Sequence, residues 1–321
     1  VLAERERFMR HAHKAFPLSK YVTLDLERCI QCGRCVRFTE EISGDAELAF
    51  RFRGASMQPS TFELTDFGSK FSGNVIEICP VGALTSAKYR FRARPWDLQT
   101  SQGLCTRCSN GCNVWLDHRA GKLARVNGRT HEGINEEWTC DKGKFGHDFY
   151  NNPDRLTKPL VRQGDKLVEA SWSQAYAAIL EGFSGTGNQI GVLAGHELSN
   201  EDLFMLQRVL RTEYKSSNLD HRMTRALWGK EAQDLRLSSA LRIEDLETVG
   251  AAAVVGTSLA DDLPIVYLRL RKAWFQNGAK VVVIHDQPTD VDSFAAAVLR
   301  HKPGTAWAVL QGLAQLASGG K

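Results

Sequence analysis

The stretch Cys29-Ile30-Gln31-Cys32-Gly33-Arg34-Cys35 sets three thiols on one short loop at successive two-residue gaps. A cubane of four irons and four sulfides meets such a turn with three of its corners, and a distant cysteine supplies the fourth ligand. The bacterial run of this kind ends in Cys-Pro. Cys79-Pro80 offers that ending. Gly33 lets the loop backbone approach a bulky cofactor, and loop N–H groups can then bond the sulfurs. The competing reading is structural zinc, although zinc sites usually pair two separated Cys-x2–4-Cys knuckles.

Further along, Cys105, Cys108 and Cys112 form a second three-thiol loop, with Cys140 as its remote fourth member. Gly111 sits inside this loop and Gly143 just beyond the last ligand, both where backbone must pass close to a cofactor. Zinc competes more strongly here, but two clusters side by side have one common use. The eight cysteines all fall between Cys29 and Cys140. In a chain of 321 residues with no export signal, that clustering points to metal or catalysis and away from a disulfide scaffold. The site residues are therefore Cys29, Cys32, Cys35 and Cys79 for a first 4Fe–4S cluster, and Cys105, Cys108, Cys112 and Cys140 for a second. No catalytic residue is assigned. His118, His131 and His147 lie nearby at spacings that match no His-containing site, and are read as surface or supporting residues. Lys142 is placed either against the cluster or in solvent.

Around these loops the pattern predicts an N-terminal helix over Val1–Leu18, a strand over Tyr21–Leu26 and a helix over Val36–Ile42. A linker follows at Arg90–Trp96, broken by Pro95. Asn113–Asp117, a turn at Ala120-Gly121 and Lys122–Val126 read as a β-hairpin, and Lys158–Ala170 as another, turning at Gly164-Asp165. From Ser171, a capping box with Gln174 opens a helix over Trp172–Leu180. Then alternate a strand (Gln189–Leu193), a helix (Asn200–Glu213), a strand (Ala251–Val255), a helix (Leu263–Gln276), a strand (Ala279–His285) and a last helix (Trp307–Leu316). Strands separated by helices imply a parallel sheet with covered faces. The expected fold is α/β: small, hairpin-rich iron–sulfur segments followed by a partial parallel α/β sheet. Domains are expected at 1–98 (ferredoxin-like), 99–170 (second cluster) and 171–321 (truncated Rossmann-like). Both ends read as lying inside a longer protein.

The hydrophobic share of 43%, the charged share of 24% and the net charge of +4 are ordinary for a folded chain. They give no general case for nucleic-acid binding. No apolar run approaches the roughly 20 residues of a membrane span, so direct membrane insertion is not expected. The alternation of Arg90, Arg92 and Arg94 with Phe91 ahead of Trp96 reads as a contact with an acidic neighbour in an assembly. Gly185-Thr186-Gly187 precedes a strand where a dinucleotide loop would follow one, so no NAD site is assigned.

Cys29 to Trp96, with Phe71-Ser72-Gly73-Asn74 leading into Cys79-Pro80-Val81-Gly82-Ala83-Leu84, resembles the G-subunit (chain 3) family of bacterial NADH–quinone oxidoreductase, respiratory complex I. From Cys105 onward the sequence is similar to the molybdopterin oxidoreductases, through Cys140-Asp141-Lys142-Gly143-Lys144-Phe145-Gly146, Arg155-Leu156-Thr157-Lys158-Pro159-Leu160 and Trp172. The resemblance implies two 4Fe–4S clusters in an electron-transfer fragment, the first on the wire from flavin to quinone and the second off it. It implies partners in the hydrophilic arm, namely the flavin- and NADH-binding subunits and the quinone-side iron–sulfur subunits. It also implies a cytoplasmic place peripheral to the inner membrane, and an enzymatic activity that belongs to the complex and not to the fragment. The family's N-terminal 2Fe–2S and His-liganded clusters, and most of its C-terminal portion, lie outside this sequence. The alternatives are a formate-dehydrogenase-like molybdenum subunit, with its cofactor near Gly195-His196 and Gly256-Thr257-Ser258, and a structural module stapled by zinc or clusters.

Overall fold

The computed structural model describes residues 15–62, 65–195, 197–220 and 241–319. They divide into two compact units, one drawn from 1–151 and 239–321, the other from 152–238. In the first unit, β1 (Ala15–Pro17) and β5 (Leu84–Ser86) flank β2 (Val22–Asp25) in an antiparallel sheet. The sheet forms where Val22 and Leu24, two apart on β2, both point into the core with no exposed surface. The helix expected over Val1–Leu18 falls largely outside the described residues. Where it overlaps them it is replaced by β1, because Pro17 cannot continue a helix while the backbone of 15–17 finds partners on β2. A hairpin, β3 (Leu48–Arg51) and β4 (Gln58–Thr61), follows.

The helix expected over 36–42 begins earlier, as α1 (Arg34–Arg37), and runs into a π-helical turn, Phe38–Ser43. Gly44 ends it at φ 77°, its N–H donating to Thr39 O at 2.9 Å. α2 (Asn74–Ile78) leads into Cys79. The expected hairpin is present as β7 (Asn113–Arg119) and β8 (Lys122–Gly128), with Ala120 and Gly121 at φ 47° and 74° in the turn. Strand β6 (Gln99–Leu104) pairs with β7 and was not expected from sequence. Its run of Gln99, Thr100, Ser101, Gln102 and Gly103 carries no apolar alternation, so it is a strand through backbone pairing alone. α3 (Asp141–Phe145) follows Cys140.

The second unit begins with the hairpin β9 (Leu160–Gln163) and β10 (Lys166–Glu169), turning through Gly164 at φ 60°. Ser171 and Gln174 form the expected capping box of α4 (Trp172–Phe183). β11 (Gly191–Leu193) pairs parallel to β12 (Asn218–Asp220), with α5 (Asn200–Thr212) between them in sequence.

From residue 241 the chain belongs again to the first unit. There β13 (Ala251–Val255), β14 (Lys280–His285) and β15 (Ala297–Arg300) form a parallel sheet. Helices α6 (Leu259–Asp262) and α7 (Pro264–Asn277) connect the first two strands, and α8 (Ala306–Ala317) follows the third. The parallel α/β expectation is borne out. One core runs through the cysteine segments and this sheet, from Leu24, Phe71 and Val75 to Ile265, Tyr267 and Phe294. Phe71 stacks on Tyr267 at 5.8 Å, and the Tyr267 hydroxyl donates to Ser43 O at 3.1 Å. No helix among the described residues is long and apolar enough to cross a membrane.

Candidate metal centres

Asp25 caps the short turn Leu26–Arg28 by accepting the Glu27 N–H at 3.2 Å, which delivers Cys29 to the start of the loop. Gln31 and Gly33 then adopt left-handed backbone, φ 57° and 77°, and the chain curls so that the Gln31 N–H points at the Cys29 sulfur. The Val36 N–H, at the start of α1, serves Cys35 in the same way. Cys79 arrives at the end of α2, and the Leu84 N–H lies 3.5 Å from its Sγ. Cys29, Cys32, Cys35 and Cys79 line one pocket, walled by Phe50, Val81 and Leu84. Cys32 is exposed and the other three are half-buried; all four are free thiols. Burial, then repulsion from Cys29, pushes the Cys35 thiol up to about 12. Burial also raises Cys29, against the Gln31 N–H. Unliganded, these two groups keep their protons at neutral pH, and a metal that takes the sulfurs must release them.

The second loop is closed by the Cys105 N–H, which donates to Cys112 O at 2.8 Å. Gly111 turns it at φ 61°, and the Asn110 amide reaches Cys112 Sγ at 3.9 Å. Cys140 caps α3, its Sγ accepting the Gly143 N–H at 3.3 Å. A Cβ on Gly143 would stand 3.0 Å from Cys105 Sγ and 3.7 Å from Cys140 Sγ. The two sulfurs thus face a shared space that a side chain at 143 would fill. Burial pushes Cys140 up to about 12 and raises Cys112 as well, with neighbouring thiols adding repulsion. Four free thiols around a cradle kept open by glycine fit a bulky inorganic cofactor.

Lys142 is exposed, and its charge favours the Cys105 thiolate. His118 lies within 3.3 Å of the Ser101 hydroxyl, and His147 is buried with Nδ1 2.9 Å from Lys144 O. His131 pairs with Glu136 in an isolated backbone bridge. Among the described residues, no group of three or more His, Cys, Asp or Glu is arranged to hold a single metal ion.

Sequence reasoning missed the polar lattice that joins the two loops. Asn74, 1% exposed, donates to Phe71 O at 3.0 Å and to Thr139 O at 2.7 Å, and accepts the Thr139 N–H at 3.0 Å. Asp141 accepts from the Ser72 hydroxyl at 2.5 Å and the Gly73 N–H at 2.7 Å. Burial raises its carboxyl to about 6 against those hydrogen bonds. Lys144, buried, pairs with Glu77; burial draws its ammonium down to about 7. Apart from the Asn74–Phe71 bond, these links run between the segment before Cys79 and the one around Cys140. The stretches Phe71–Asn74 and Cys140–Gly146 carried a signal through resemblance, which said nothing of these pairings.

Residues 19–85 match the family model of the ferredoxin-like domain of NADH-quinone oxidoreductase subunit 3. Residues 109–148 match the 4Fe–4S domain of NADH-ubiquinone oxidoreductase NDSU1/NuoG-like proteins. The family model of molybdopterin oxidoreductase matches 155–319, just over half of the chain. The chain belongs to the molybdopterin oxidoreductase family. Within this molybdopterin oxidoreductase family member, the first match contains Cys29, Cys32, Cys35 and Cys79. The match from 109 contains Cys112 and Cys140 and begins after Cys105 and Cys108. The chain is 40% identical to the G subunit of NADH-quinone oxidoreductase from Streptomyces coelicolor, over 95% of its own length and 39% of that protein. It is 38% identical to the same subunit from Mycobacterium bovis over the same shares. To NADH-quinone oxidoreductase subunit 3 of Thermus thermophilus it is 40% identical, over 81% of this chain and 32% of the relative. The resemblance read from Cys79–Leu84 and Cys140–Gly146 is borne out. The chain spans about two fifths of the length of the Streptomyces and Mycobacterium relatives.

Proposed function

We propose that Cys29, Cys32, Cys35 and Cys79 hold one 4Fe–4S cluster, and Cys105, Cys108, Cys112 and Cys140 a second. In this reading the chain carries electrons as part of an NADH–quinone oxidoreductase, in the place of its G subunit. The observation that carries it is the pairing of each cysteine loop with a remote cysteine, all as free thiols, with backbone N–H groups turned on the sulfurs. A bound cluster supplies a one-electron redox centre. The chain's own residues fix its ligands, aim N–H dipoles at the sulfurs and set burial, the levers that tune a cluster's potential. Oxidation of NADH and reduction of quinone belong to the complex. Its flavin-binding and quinone-side iron–sulfur subunits are the partners, and they hold the chain at the cytoplasmic face of the membrane. The domain limits 1–98, 99–170 and 171–321 go with this reading.

A molybdenum subunit draws support from the match over 155–319. The sequence has no Cys beyond Cys140 to ligate that metal, and the relatives described above carry the NADH-quinone oxidoreductase name. The test is iron and acid-labile sulfide per chain after anaerobic purification, with EPR of the reduced protein. About eight of each, and two cubane signals, are expected. Zinc without sulfide overturns the proposal, and bound molybdopterin promotes the other reading.

A further inference from the structure

A cavity of about 360 Å³ opens between the turn at Lys88–Pro95, strand β8 and helix α3. Its floor is apolar, made by Ile76, Leu84, Val126 and Phe145. Arg28, Lys88, Arg90, Arg94 and Arg125 stand around it, and none of the described residues lining it is Asp or Glu. The counter-charges are fewer than these five cations, and one of them, the exposed Asp148, holds Lys88 at 2.5 Å. Arg28 and Arg90 share the single carboxylate of Asp25, at 3.4 and 3.6 Å, while Arg125 is held by Asp117 at 2.6 Å. Such ties fix the guanidinium groups in place and leave spare N–H donors for a guest, since each carries five.

The apolar surface continues outside the cavity. Phe91 is 82% exposed and Trp96 79% exposed. Phe91 also holds left-handed backbone at φ 65°, costly for an aromatic residue, with the Arg90 guanidinium 4.8 Å from its ring centre. Exposed aromatics beside arginines are what the centres of protein interfaces are made of.

We propose that this cavity and its aromatic lip receive an acidic segment of a neighbouring protein chain. One apolar side chain of that segment rests on the floor, and its flanking carboxylates meet the arginine rim. A small free anion would use the rim and leave Phe91 and Trp96 idle, whereas a peptide uses both. The inference stands on this surface alone and does not depend on which cofactor the cysteines hold.

The test uses the full chain as purified and a fluorescein-labelled synthetic peptide of Asp and Glu around one Trp, read by fluorescence anisotropy. The expected result is binding about tenfold or more tighter than to the Asn/Gln counterpart, weakening as salt rises. Arg94→Glu should lower the affinity about tenfold by placing a like charge on the rim. Phe91→Gly should also weaken binding while leaving the melting temperature no lower, because glycine accepts the left-handed backbone freely. That second variant separates loss of the contact from loss of the fold. Equal binding of both peptides, or affinity unchanged in both variants, overturns the proposal. So does tighter binding by a single-stranded oligonucleotide of equal charge, or complete competition by inorganic phosphate.

Discussion

A methyl group added at Gly143 would meet Cys105 Sγ at 3.0 Å and Cys140 Sγ at 3.7 Å, inside the space the second cofactor is proposed to fill. Gly143→Ala is therefore expected to cut iron from about eight to about four per chain, with the EPR signal of the first site unchanged. Acidity gives a second test at this scale. With Cys35 and Cys140 both raised from 9.0 to about 12, the protonated thiol is the form the folded chain prefers. Metal-free protein should thus keep the full contribution of these groups below about pH 9 and lose it progressively toward pH 12, seen as a falling melting temperature. Retention of stability across that window would contradict the burial assigned to these sulfurs. The eight cysteines were legible as proposed ligands because that signal lies in residue type and spacing alone. Asn74 and Asp141 were not, since nothing in a single Asn or Asp announces that its partners lie 65 or 68 residues away.

Elements whose ends are written locally were legible too. The Ser171–Gln174 box opens α4, and Ala120-Gly121 and Gly164-Asp165 make the hairpin turns. β6 and β12 were not, because each is a strand only through its neighbour: a polar edge beside β7, and three residues paired parallel to β11. The element that matters most for the sites is α2. It is short, and it is fixed at its start by Asn74 and at its end by Cys79. Asn74→Ala removes a donor from Thr139 O and an acceptor from Thr139 N–H in a buried setting. Each orphaned group costs about 1–3 kcal/mol. A loss of about 3 kcal/mol in denaturant unfolding is expected, together with poorer iron retention at Cys140. A variant that unfolds at the parental midpoint would show the lattice to be incidental.

Across the whole first unit, residues more than a hundred apart in sequence lock α7 to the approach to Cys140. Arg269, 3% exposed on α7, donates to Ile134 O at 3.2 Å and pairs with Glu247, while Lys272 bridges Glu136 at 2.5 Å and Glu247 at 2.8 Å. Burial works against the Glu247 charge, yet hydrogen bonds from Lys272 and Arg269 hold its carboxyl below the usual range. Its contribution is accordingly present above the ordinary carboxylate pKa of 4.5 and lost as pH falls below it. Arg269→Met should cost about 1–3 kcal/mol, since it takes the donor from Ile134 O and leaves Glu247 to Lys272 alone. Chemical denaturation checks this, and a variant that unfolds at the parental midpoint would contradict it. Local periodicity cannot encode such pairings, which is why the return of 241–319 to the cysteine unit was not readable from the run of helices and strands.

The unequal shelter of the two sulfur sets has a practical outcome for anyone handling the protein. Cys32 faces water, whereas Cys112 and Cys140 are 5% and 7% exposed. With the proposed clusters bound, dioxygen and peroxide would meet an exposed ligand at the first centre, while at the second Cys105 and Cys108 are half-buried and the other two ligands are sealed. On a bench in air, one half of the iron should bleach away before the other, and the half that lasts should be the one farther along the chain.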